Sequence, residues 1–461
     1  MSPTYDAIII GTGQAGPPLA NRLTKAGMKI AIIERKRFGG TCVNTGCIPT
    51  KAMVASAYAA HMAARASEYG VEIDGRIHVD MRKVKARKDA ISQTSSRGVE
   101  DWLTSMPGCM IYRGHARFGS AREVKVDEEL LSAARIFIDV GGRAMVPAIP
   151  GLDHVDYLTN SSMMDVDFLP EHLLILGGSY IGLEFAQMYR RFGSKVTVIE
   201  AAPRLVPHED EDISASIKEI LEQEGIDIRV ASKCTRLDKR AGAIVAQIEG
   251  AQGRMEVSAS HLLVATGRRP NTDDLDLDRA GVHTNEHGFI AVDEQLRTNV
   301  AGIWALGECN GRGAFTHTAY NDFEIVSANL LDNEPRRLSD RIPTYGLFID
   351  PPLGRVGMTE AQARATGRPV LVGRRLMTRV GRAVEKGETN GFMKVIVDAQ
   401  TKQILGAAIL GTGGDEAVHC LTDTMYAKAP YTTITHAVHI HPTLAELIPT
   451  MLEDLAPAAG R

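Results

Sequence analysis

The chain has 461 residues, which predicts about three domains at roughly 150 residues each. Hydrophobic residues make up 44% of it and charged residues 23%, as in ordinary globular proteins, and six cysteines are too few for a disulfide-stapled secreted scaffold. A net charge of −4 and an aromatic content of 5% argue against nucleic acid as a partner. The sequence shows no basic leader and no apolar stretch of roughly 18 residues, so we expect no membrane segment and a cytoplasmic location.

The first elements predict a βαβ unit that binds a dinucleotide. They come in this order: an apolar strand over 5–10, the turn Gly11-Thr-Gly-Gln-Ala-Gly16, a helix over 19–26, and an apolar strand over 29–34 that ends in Glu34. Gly11 permits the tight turn, Gly13 lets the backbone approach a pyrophosphate, and Gly16 lets the helix pack closely on the strand. Glu34 would accept hydrogen bonds from a ribose. The alternative is a glycine-rich turn in an unrelated α/β protein.

A second unit of the same kind follows about 165 residues later. Its elements are a strand over 172–176, the turn Gly177-Gly-Ser-Tyr-Ile-Gly182, a helix over 183–192, and a strand over 195–200 that ends in Glu200. Ser179 stands where the second glycine of the pattern belongs. Glu200 favours the free 2′-hydroxyl of NADH, whereas Arg204 offers a partner for the 2′-phosphate of NADPH. We favour NADH.

The remaining patterns predict further α/β structure. They are a helix over 52–66, a helix over 79–103 whose basic residues form a solvated face, strands that lead into glycines at 136–142 and 262–267, and antiparallel strands over 391–398 and 403–410. The last two strands indicate a separate C-terminal domain of about 115 residues.

The segment Gly39-Gly-Thr-Cys42-Val-Asn-Thr-Gly-Cys47-Ile-Pro-Thr-Lys51 carries the strongest chemical signal. In an ideal helix the Cα atoms of Cys42 and Cys47 would lie roughly 8 Å apart, beyond the reach of a disulfide, so a distorted loop or first helical turn must close the pair. A helix N-terminus also lowers a thiol pKa. The alternatives are two buried free cysteines or half of a zinc site, but the chain has no second cysteine pair. We therefore predict a redox-active disulfide.

This segment resembles the active site of the class I flavin-dependent pyridine nucleotide–disulfide oxidoreductases, which include dihydrolipoyl dehydrogenase, glutathione reductase and mercuric reductase. The resemblance extends over nearly the whole chain, in the same order. It rests on 11–16, 42–51, 177–184, Ala265-Thr-Gly-Arg-Arg-Pro-Asn271, Ile303-Trp-Ala-Leu-Gly307 and His441-Pro-Thr-Leu-Ala-Glu446. It implies an α/β fold with two Rossmann-like nucleotide domains and a C-terminal α+β domain that forms a homodimer.

The expected domain bounds follow from that resemblance. An FAD-binding domain would span 1–148 and 272–343, an NAD(P)-binding domain 149–271, and the dimerisation domain 344–461.

The resemblance also implies the cofactor contacts. Those expected for FAD are Gly11, Gly13, Gly16, Glu34, Arg35, Gly40, Thr41, Lys51, His115, Ala116, Gly141, Gly307 and Glu308. Those expected for NADH or NADPH are Gly177, Gly178, Tyr180, Ile181, Glu200 and Gly267. The family has Asp where this chain has Glu308, so the longer side chain implies a shifted backbone or an altered hydrogen bond.

By the same resemblance, each catalytic residue has an expected role. Cys47 is the sulfur nearest the flavin, Cys42 is the thiol that meets the substrate, and Lys51 pairs with Glu184 beside the flavin. Tyr180 is a gate over the nicotinamide side of the flavin or, alternatively, a packing residue. His441 and Glu446 form an acid–base dyad supplied by the other subunit. The competing interpretation of His441 is a metal cluster with His436 and His439, and we predict no metal.

The substrate is expected to be a small molecule. The cysteine segment resembles that of mercuric reductase more than that of glutathione reductase, but the tail over 452–461 has no vicinal cysteine pair to take up mercury. Candidates are a low-molecular-weight disulfide, an oxidised sulfur species such as hypothiocyanite, and Cu(II). The alternatives are a dihydrolipoyl dehydrogenase and a non-catalytic redox-sensing flavoprotein. The other cysteines, Cys109, Cys234, Cys309 and Cys420, are expected to be packing residues, and Cys309, which follows Glu308, is the one of them expected to lie near the flavin.

Overall fold

A computed structural model describes residues 3–251 and 253–458. The outermost residues of the expected first and third domains, 1–2 and 459–461, lie outside the described residues. Within the described part, no helix is both long and apolar enough to cross a membrane.

Residues 3–148 form a sheet whose carboxyl edge carries the first glycine turn. The elements are β1 (Thr4–Ile10), α1 (Gly16–Lys25), β2 (Ile30–Glu34), α2 (Gly40–Asn44), α3 (Cys47–Ala64), α4 (Met81–Thr104), β3 (Cys109–Arg113), β4 (Ala116–Ser120), β5 (Glu123–Val126), β6 (Glu129–Ile138) and β7 (Gly142–Ala144). Strands β3, β2, β1 and β6 are parallel neighbours, and the β4–β5 hairpin extends the sheet beyond β6. Ile10 is paired with both Ile33 and Ile138, so the residues that follow these three strands meet at one edge.

Residues 149–271 form a second parallel sheet. The elements are β8 (Tyr157–Leu158), β9 (His172–Leu176), α5 (Tyr180–Phe192), β10 (Lys195–Ile199), α6 (Glu211–Gln223), β11 (Asp227–Arg229), β12 (Ser232–Arg240), β13 (Ala243–Gly250), β14 (Gly253–Ala259), β15 (His261–Val264) and β16 (Arg268–Pro270). The parallel order is β11-β10-β9-β15-β8, and an antiparallel meander of β12, β13 and β14 packs its apolar residues against it. Both faces of this sheet are therefore covered, which explains why β9 is an unbroken apolar run.

The chain then returns to the first sheet. Residues 272–343 contain β17 (Ile303–Ala305) and α7 (Thr316–Ser327), and β17 pairs in parallel with β6. This pairing is what a first domain interrupted by a second requires, although the domain bounds stay a prediction.

Residues 344–458 form a mainly antiparallel sheet with helices. The elements are β18 (Thr344–Leu347), β19 (Leu353–Gly357), α8 (Glu360–Ala365), β20 (Val370–Leu376), α9 (Gly381–Glu385), β21 (Phe392–Asp398), β22 (Ile404–Leu410), α10 (Gly414–Ala417), α11 (His419–Tyr426), α12 (Thr432–Thr435), α13 (Leu447–Glu453) and β23 (Ala456–Pro457). The strand order is β18-β19-β22-β21-β20-β23. Every residue of β21 and β22 is buried, so this pair is the core of the C-terminal region.

Two local expectations need correction. Helix α3 begins at Cys47, five residues before the expected start at 52, because Pro49 fits the first turn of a helix and does not prevent one. The basic face of α4 is not wholly solvated, since Lys88 is only 3% exposed. Its Nζ donates to the carbonyl of Met164 at 2.6 Å and pairs with Asp89, which ties α4 to the neighbouring loop.

Candidate active site

A cavity of roughly 2060 Å³ runs along the carboxyl edge of the first sheet to α3, α5 and α7. It exceeds the ~300–1,000 Å³ of an ordinary small-ligand pocket, so it has room for a dinucleotide. The predicted site residues that line it are Gly11, Gly13, Glu34, Arg35, Gly40, Thr41, Cys42, Cys47, Lys51, His115, Ala116, Gly141, Tyr180, Ile181, Glu184, Gly307 and Glu308. Those outside its lining are Gly16, Gly177, Gly178, Glu200, Gly267, His441 and Glu446.

The first glycine turn is closed too tightly for side chains. Gly11 has φ +104°, and a Cβ there would lie 2.2 Å from the carbonyl oxygen of Asp139. A Cβ on Gly40 would lie 2.9 Å from the Cα of Gly13, so this turn and the start of α2 press against each other beside the cavity. A Cβ on Gly16 would meet the Gly11 carbonyl oxygen at 2.6 Å, which accounts for its packing position behind the lining. Because these glycines have no side chains, the backbone of the turn is open to the cavity and fits a diphosphate.

An acid at the end of the second strand supports the glycine turn in both units. Glu34 accepts from the Thr12 amide at 3.1 Å and hydroxyl at 2.6 Å with one oxygen, and from the Lys36 amide at 2.8 Å with the other. Glu200 accepts from the Gly178 amide at 2.6 Å and the Ala202 amide at 2.7 Å. Each carboxylate therefore holds the backbone of its turn.

The far end of the cavity is held by a three-residue cluster. Arg35 donates to Asp274 at 2.7 Å and lies 3.3 Å from the Nδ1 of His115, whose Nε2 lies 2.8 Å from the Asp274 carbonyl oxygen. The predicted residues Arg35 and His115 are thus brought together by the segment that returns to the first sheet.

The two cysteines lie on different helices. Helix α2 ends at Asn44 and α3 begins at Cys47, and the break between them contains Gly46, where a Cβ would lie 2.9 Å from the Thr41 carbonyl oxygen. This break replaces the ideal helical spacing and brings the thiols into hydrogen-bonding contact. Both cysteines are free thiols in this structure.

The two thiols differ in acidity. Hydrogen bonding from Cys42 lowers the pKa of Cys47 to about 6, with further help from the Thr316 hydroxyl at 3.0 Å and the nearby charge of Lys51. The pKa of Cys42 is raised because its proton is shared with Cys47 and because the group is buried. In the reduced state Cys47 is therefore the thiolate and Cys42 keeps its proton.

Thr316 is a site residue that sequence reasoning missed. Replacing it with valine removes a hydroxyl donor at nearly constant shape, so the pKa of Cys47 should rise by about one unit and thiolate should form only at higher pH. The measurement is the pH dependence of the long-wavelength absorbance that a thiolate beside oxidised flavin gives. Thr316→Ser keeps the hydroxyl and should retain the wild-type midpoint. An unchanged midpoint in Thr316→Val would contradict the assignment.

Lys51 and Glu184 form an ion pair inside the cavity. The Nζ of Lys51 donates to both carboxylate oxygens at 2.9 and 2.7 Å, and Glu184 is only 6% exposed. Glu184 also accepts from the Phe348 amide at 3.1 Å. The pair therefore joins α3, α5 and the C-terminal region at the cavity wall.

Tyr180 begins α5 and lies in an aromatic cluster on the cavity wall. Its ring meets those of Phe315 and Tyr345 edge-on, each at 5.7 Å. Burial raises the pKa of Tyr180 to about 12, so its hydroxyl stays protonated. The ring is held by packing, and a gate that opens must break these two contacts.

Glu308 forms an ion pair that the sequence did not predict. Both of its oxygens accept from Arg268, at 2.5 and 2.8 Å, and Arg268 also donates to the carbonyl of Gly142 at 2.8 Å. The longer side chain thus reaches an arginine of the 265–271 motif. The FAD contact at Glu308 stays a prediction.

His441 and Glu446 lie in contact with each other. The Nδ1 of His441 lies 3.0 and 2.9 Å from the two oxygens of Glu446. The His441 side chain is 80% exposed, and the neighbouring Val438 and Ile440 are 100% and 80% exposed. Exposed apolar side chains around an oriented imidazole indicate a surface made to be covered.

The remaining expectations for histidines and cysteines have these outcomes. Cys309 is fully buried under the first sheet, with its Sγ 3.2 Å from the Leu306 carbonyl oxygen, and it does not line the cavity. The other singletons, Cys109, Cys234 and Cys420, also lie outside the lining. Across 3–251 and 253–458, no group of three or more His, Cys, Asp or Glu side chains is placed to hold a metal ion, and the Nδ1 of His439 lies 3.2 Å from the Ala437 carbonyl oxygen.

Comparisons with known proteins agree with this architecture. Residues 5–322 match the pyridine nucleotide-disulphide oxidoreductase family, and residues 343–452 match its dimerisation domain. The chain belongs to this family. It is an NAD(P)H-dependent flavoprotein disulfide reductase of mixed α/β fold, with Rossmann-like sheets and a C-terminal dimerisation domain.

Three relatives with different printed activities match nearly the whole chain. The chain is 36% identical to the probable pyridine nucleotide-disulfide oxidoreductase RclA of Escherichia coli (96% of this chain, 97% of the relative). It is 35% identical to the mercuric reductase of Streptomyces lividans (96% and 94%) and 33% identical to the dihydrolipoyl dehydrogenase of Thermus scotoductus (96% and 95%). The Cu(II) complex of the HOCl-induced flavoprotein disulfide reductase RclA superposes with a TM-score of 0.89 at 34% identity, covering 98% of this chain and 99% of that one.

Proposed function

We propose that this protein uses NADH to reduce a small oxidised sulfur compound, a low-molecular-weight disulfide or a species such as hypothiocyanite, through the Cys42–Cys47 pair. Among the cysteines of the described residues, only these two line the cavity. Among the described residues, the cavity has no third thiol that could pass electrons from Cys42 to the acceptor. The acceptor must therefore be small enough to reach Cys42 itself. This is the observation that carries the proposal.

FAD is proposed to occupy the long cavity, with its diphosphate on the Gly11–Gly16 turn and its adenine end beside Arg35 and His115. Bound FAD would accept a hydride from the nicotinamide and return the electron pair to the disulfide. Lys51, fixed by Glu184, keeps a positive charge next to Cys47 and so stabilises the thiolate that forms there. Tyr180 closes the nicotinamide side of the cavity.

The thiol chemistry that follows belongs to the protein's own residues. Cys42 loses its proton to His441 and attacks one sulfur of the acceptor disulfide, which forms a mixed disulfide and releases one thiolate. The imidazolium returns the proton to that leaving thiolate. The Cys47 thiolate then attacks the Cys42 sulfur, which restores the internal disulfide and releases the second product as a thiolate that takes its proton from water.

The dyad is proposed to come from a second copy of the chain. His441 does not line the cavity of its own chain, and its exposed apolar neighbours are placed for an interface. Glu446 holds Nδ1 and leaves Nε2 to exchange protons with Cys42. Each active site would then need the homodimer.

NADH is proposed over NADPH because of how the side chains near the second turn are used. Glu200 remains an acid at the ribose position, and Arg204 donates to the carbonyl of Pro207 at 3.1 Å. An arginine held on its own loop does not offset the repulsion between Glu200 and a 2′-phosphate.

Cu(II) is a second candidate acceptor, supported by the relative of similar fold solved as a Cu(II) complex. A dithiol offers soft ligands for copper, and two one-electron reductions of Cu(II) would balance the oxidation of one dithiol.

A steady-state screen tests these proposals. The acceptors are hypothiocyanite, glutathione disulfide, lipoamide, Cu(II) and Hg(II), each with NADH and with NADPH. We expect kcat/KM to be at least about tenfold higher with NADH than with NADPH. We expect the same margin for an oxidised sulfur acceptor other than lipoamide over lipoamide. Lipoamide turnover above the other acceptors would contradict the proposal and favour a dihydrolipoyl dehydrogenase.

A further inference from the structure

A buried carboxyl lies directly beneath the first glycine turn. Asp139 follows β6 at the sheet edge, is 6% exposed, and accepts from the Gly16 amide at 2.8 Å. A Cβ on Gly13 would lie 2.8 and 3.0 Å from its two oxygens, and a Cβ on Gly307 would lie 3.2 Å from Oδ1. The carboxyl is therefore wedged between the two glycine segments proposed to hold FAD, and it lines their common cavity.

The surroundings of this carboxyl disfavour its charge. Burial raises the pKa of Asp139 to about 8, and the acids Asp322 on α7 and Glu34 on β2 add to the effect. Asp322 is itself paired with Arg341. Within the described ranges, no lysine, arginine or histidine side chain forms a salt bridge with Asp139.

The groups that favour the ionised form of Asp139 act less strongly than its burial does. The amides of Ala15 and Gly16 at the start of α1 favour the ionised form of Asp139 by hydrogen bonding. The neighbouring Cys309 thiol carries no charge, because burial raises its pKa. Glu34, Asp322 and Cys309 are titratable groups of the described residues that act on or lie beside Asp139, and none of them supplies a compensating positive charge.

A diphosphate on the glycine turn would bring two further negative charges beside this carboxyl. Repulsion and the loss of water would both penalise an ionised Asp139. The same amides that hold Asp139 also belong to the helix start that receives a phosphate.

We propose that Asp139 holds FAD in its protonated form, donating its hydroxyl to a cofactor oxygen, so that FAD binding and protonation of this one carboxyl are coupled. This inference rests on the proposed placement of FAD in the cavity. By linkage, binding raises the pKa of Asp139 further, and deprotonation weakens binding by the same factor.

The affinity of the protein for FAD should fall as the pH rises above about 8. Below about pH 8 Asp139 is protonated with or without FAD, so affinity does not change. Above that pH the free protein loses the proton that binding needs. The dissociation constant of FAD should then rise up to about tenfold per pH unit.

The experiment uses the full-length oxidised holoenzyme, in which a Cys42–Cys47 disulfide has no proton to titrate. FAD release on dilution is followed by the fluorescence of free flavin between about pH 6.5 and 9.5, below the range where flavin itself ionises. In wild type, the dissociation constant of FAD should stay constant up to about pH 8 and rise above it. Asp139→Asn keeps the shape without the charge and should show no rise. Glu129→Gln removes an exposed acid at the start of β6, the strand that Asp139 follows, and should behave like wild type.

A second measurement does not depend on any variant. At about pH 9 the number of protons released with each FAD from wild type, read with a pH indicator in weak buffer, should approach one. A pH-independent dissociation constant in wild type would overturn the inference. So would a dissociation constant of Asp139→Asn that rises with pH as much as that of wild type, or the absence of proton release. If wild type holds no FAD at any pH, the proposed function is overturned with it.

Discussion

Cys47→Ser and Cys42→Ser should each lower turnover of the acceptor by about three orders of magnitude or more, because a single thiol cannot form the internal disulfide. Reduction of bound FAD by NADH should persist in both variants, since neither change touches the nicotinamide side. The measurement is steady-state turnover beside anaerobic stopped-flow reduction of the flavin.

The two variants should differ in their absorbance. Cys42→Ser leaves Cys47 as a thiolate beside the flavin, since the Thr316 hydroxyl and Lys51 still stabilise it, so the long-wavelength band should appear without any reductant. Cys47→Ser should lose that band. Exchanged behaviour of the two variants would reverse the assigned roles of the two sulfurs.

Cys109→Ser is the matched control for both variants. Cys109 is half-buried on β3 and lies outside the cavity lining, so turnover and spectrum should both stay at the wild-type level. Full turnover in either active-site variant would contradict the proposed disulfide chemistry.

The sequence predicted the parts of the fold that local patterns determine. Each βαβ unit has an apolar strand, a glycine turn and an acid in fixed order, and both formed at the expected positions. The sequence predicted that Cys42 and Cys47 must come together but not how they do so. They come together through a helix break at Gly46, which depends on the close approach of the Thr41 carbonyl, and no local pattern shows that approach.

Contacts between distant segments were the part that could not be predicted. Thr316 lies 269 residues from the cysteine it contacts, and Arg268 lies 40 residues from Glu308. Helical spacing on α4 predicted a solvated basic face, because periodicity cannot show which neighbour covers Lys88. Asp139 did carry a signal, since it directly follows a buried parallel strand, at the same sheet edge as Glu34.

The shared active site gives the second large effect. A hybrid dimer of one Cys42→Ser chain and one His441→Ala chain should be active, although we expect each parent homodimer to be nearly inactive. In the hybrid, one site combines the intact cysteines of the His441→Ala chain with His441 of the partner subunit, and the other site lacks both groups. One working site of two predicts about half of the wild-type turnover per dimer.

The hybrid can be isolated by co-expressing the two chains with different affinity tags and purifying on both. A hybrid of Cys42→Ser with Cys47→Ser is the matched control. It should stay inactive, because both sulfurs of a site come from one chain and neither site is complete. An inactive Cys42→Ser/His441→Ala hybrid would show that the histidine does not act across the interface. Equal recovery in both hybrids would mean that the cysteines themselves pair between subunits, which the contact of Cys42 with Cys47 inside one chain opposes.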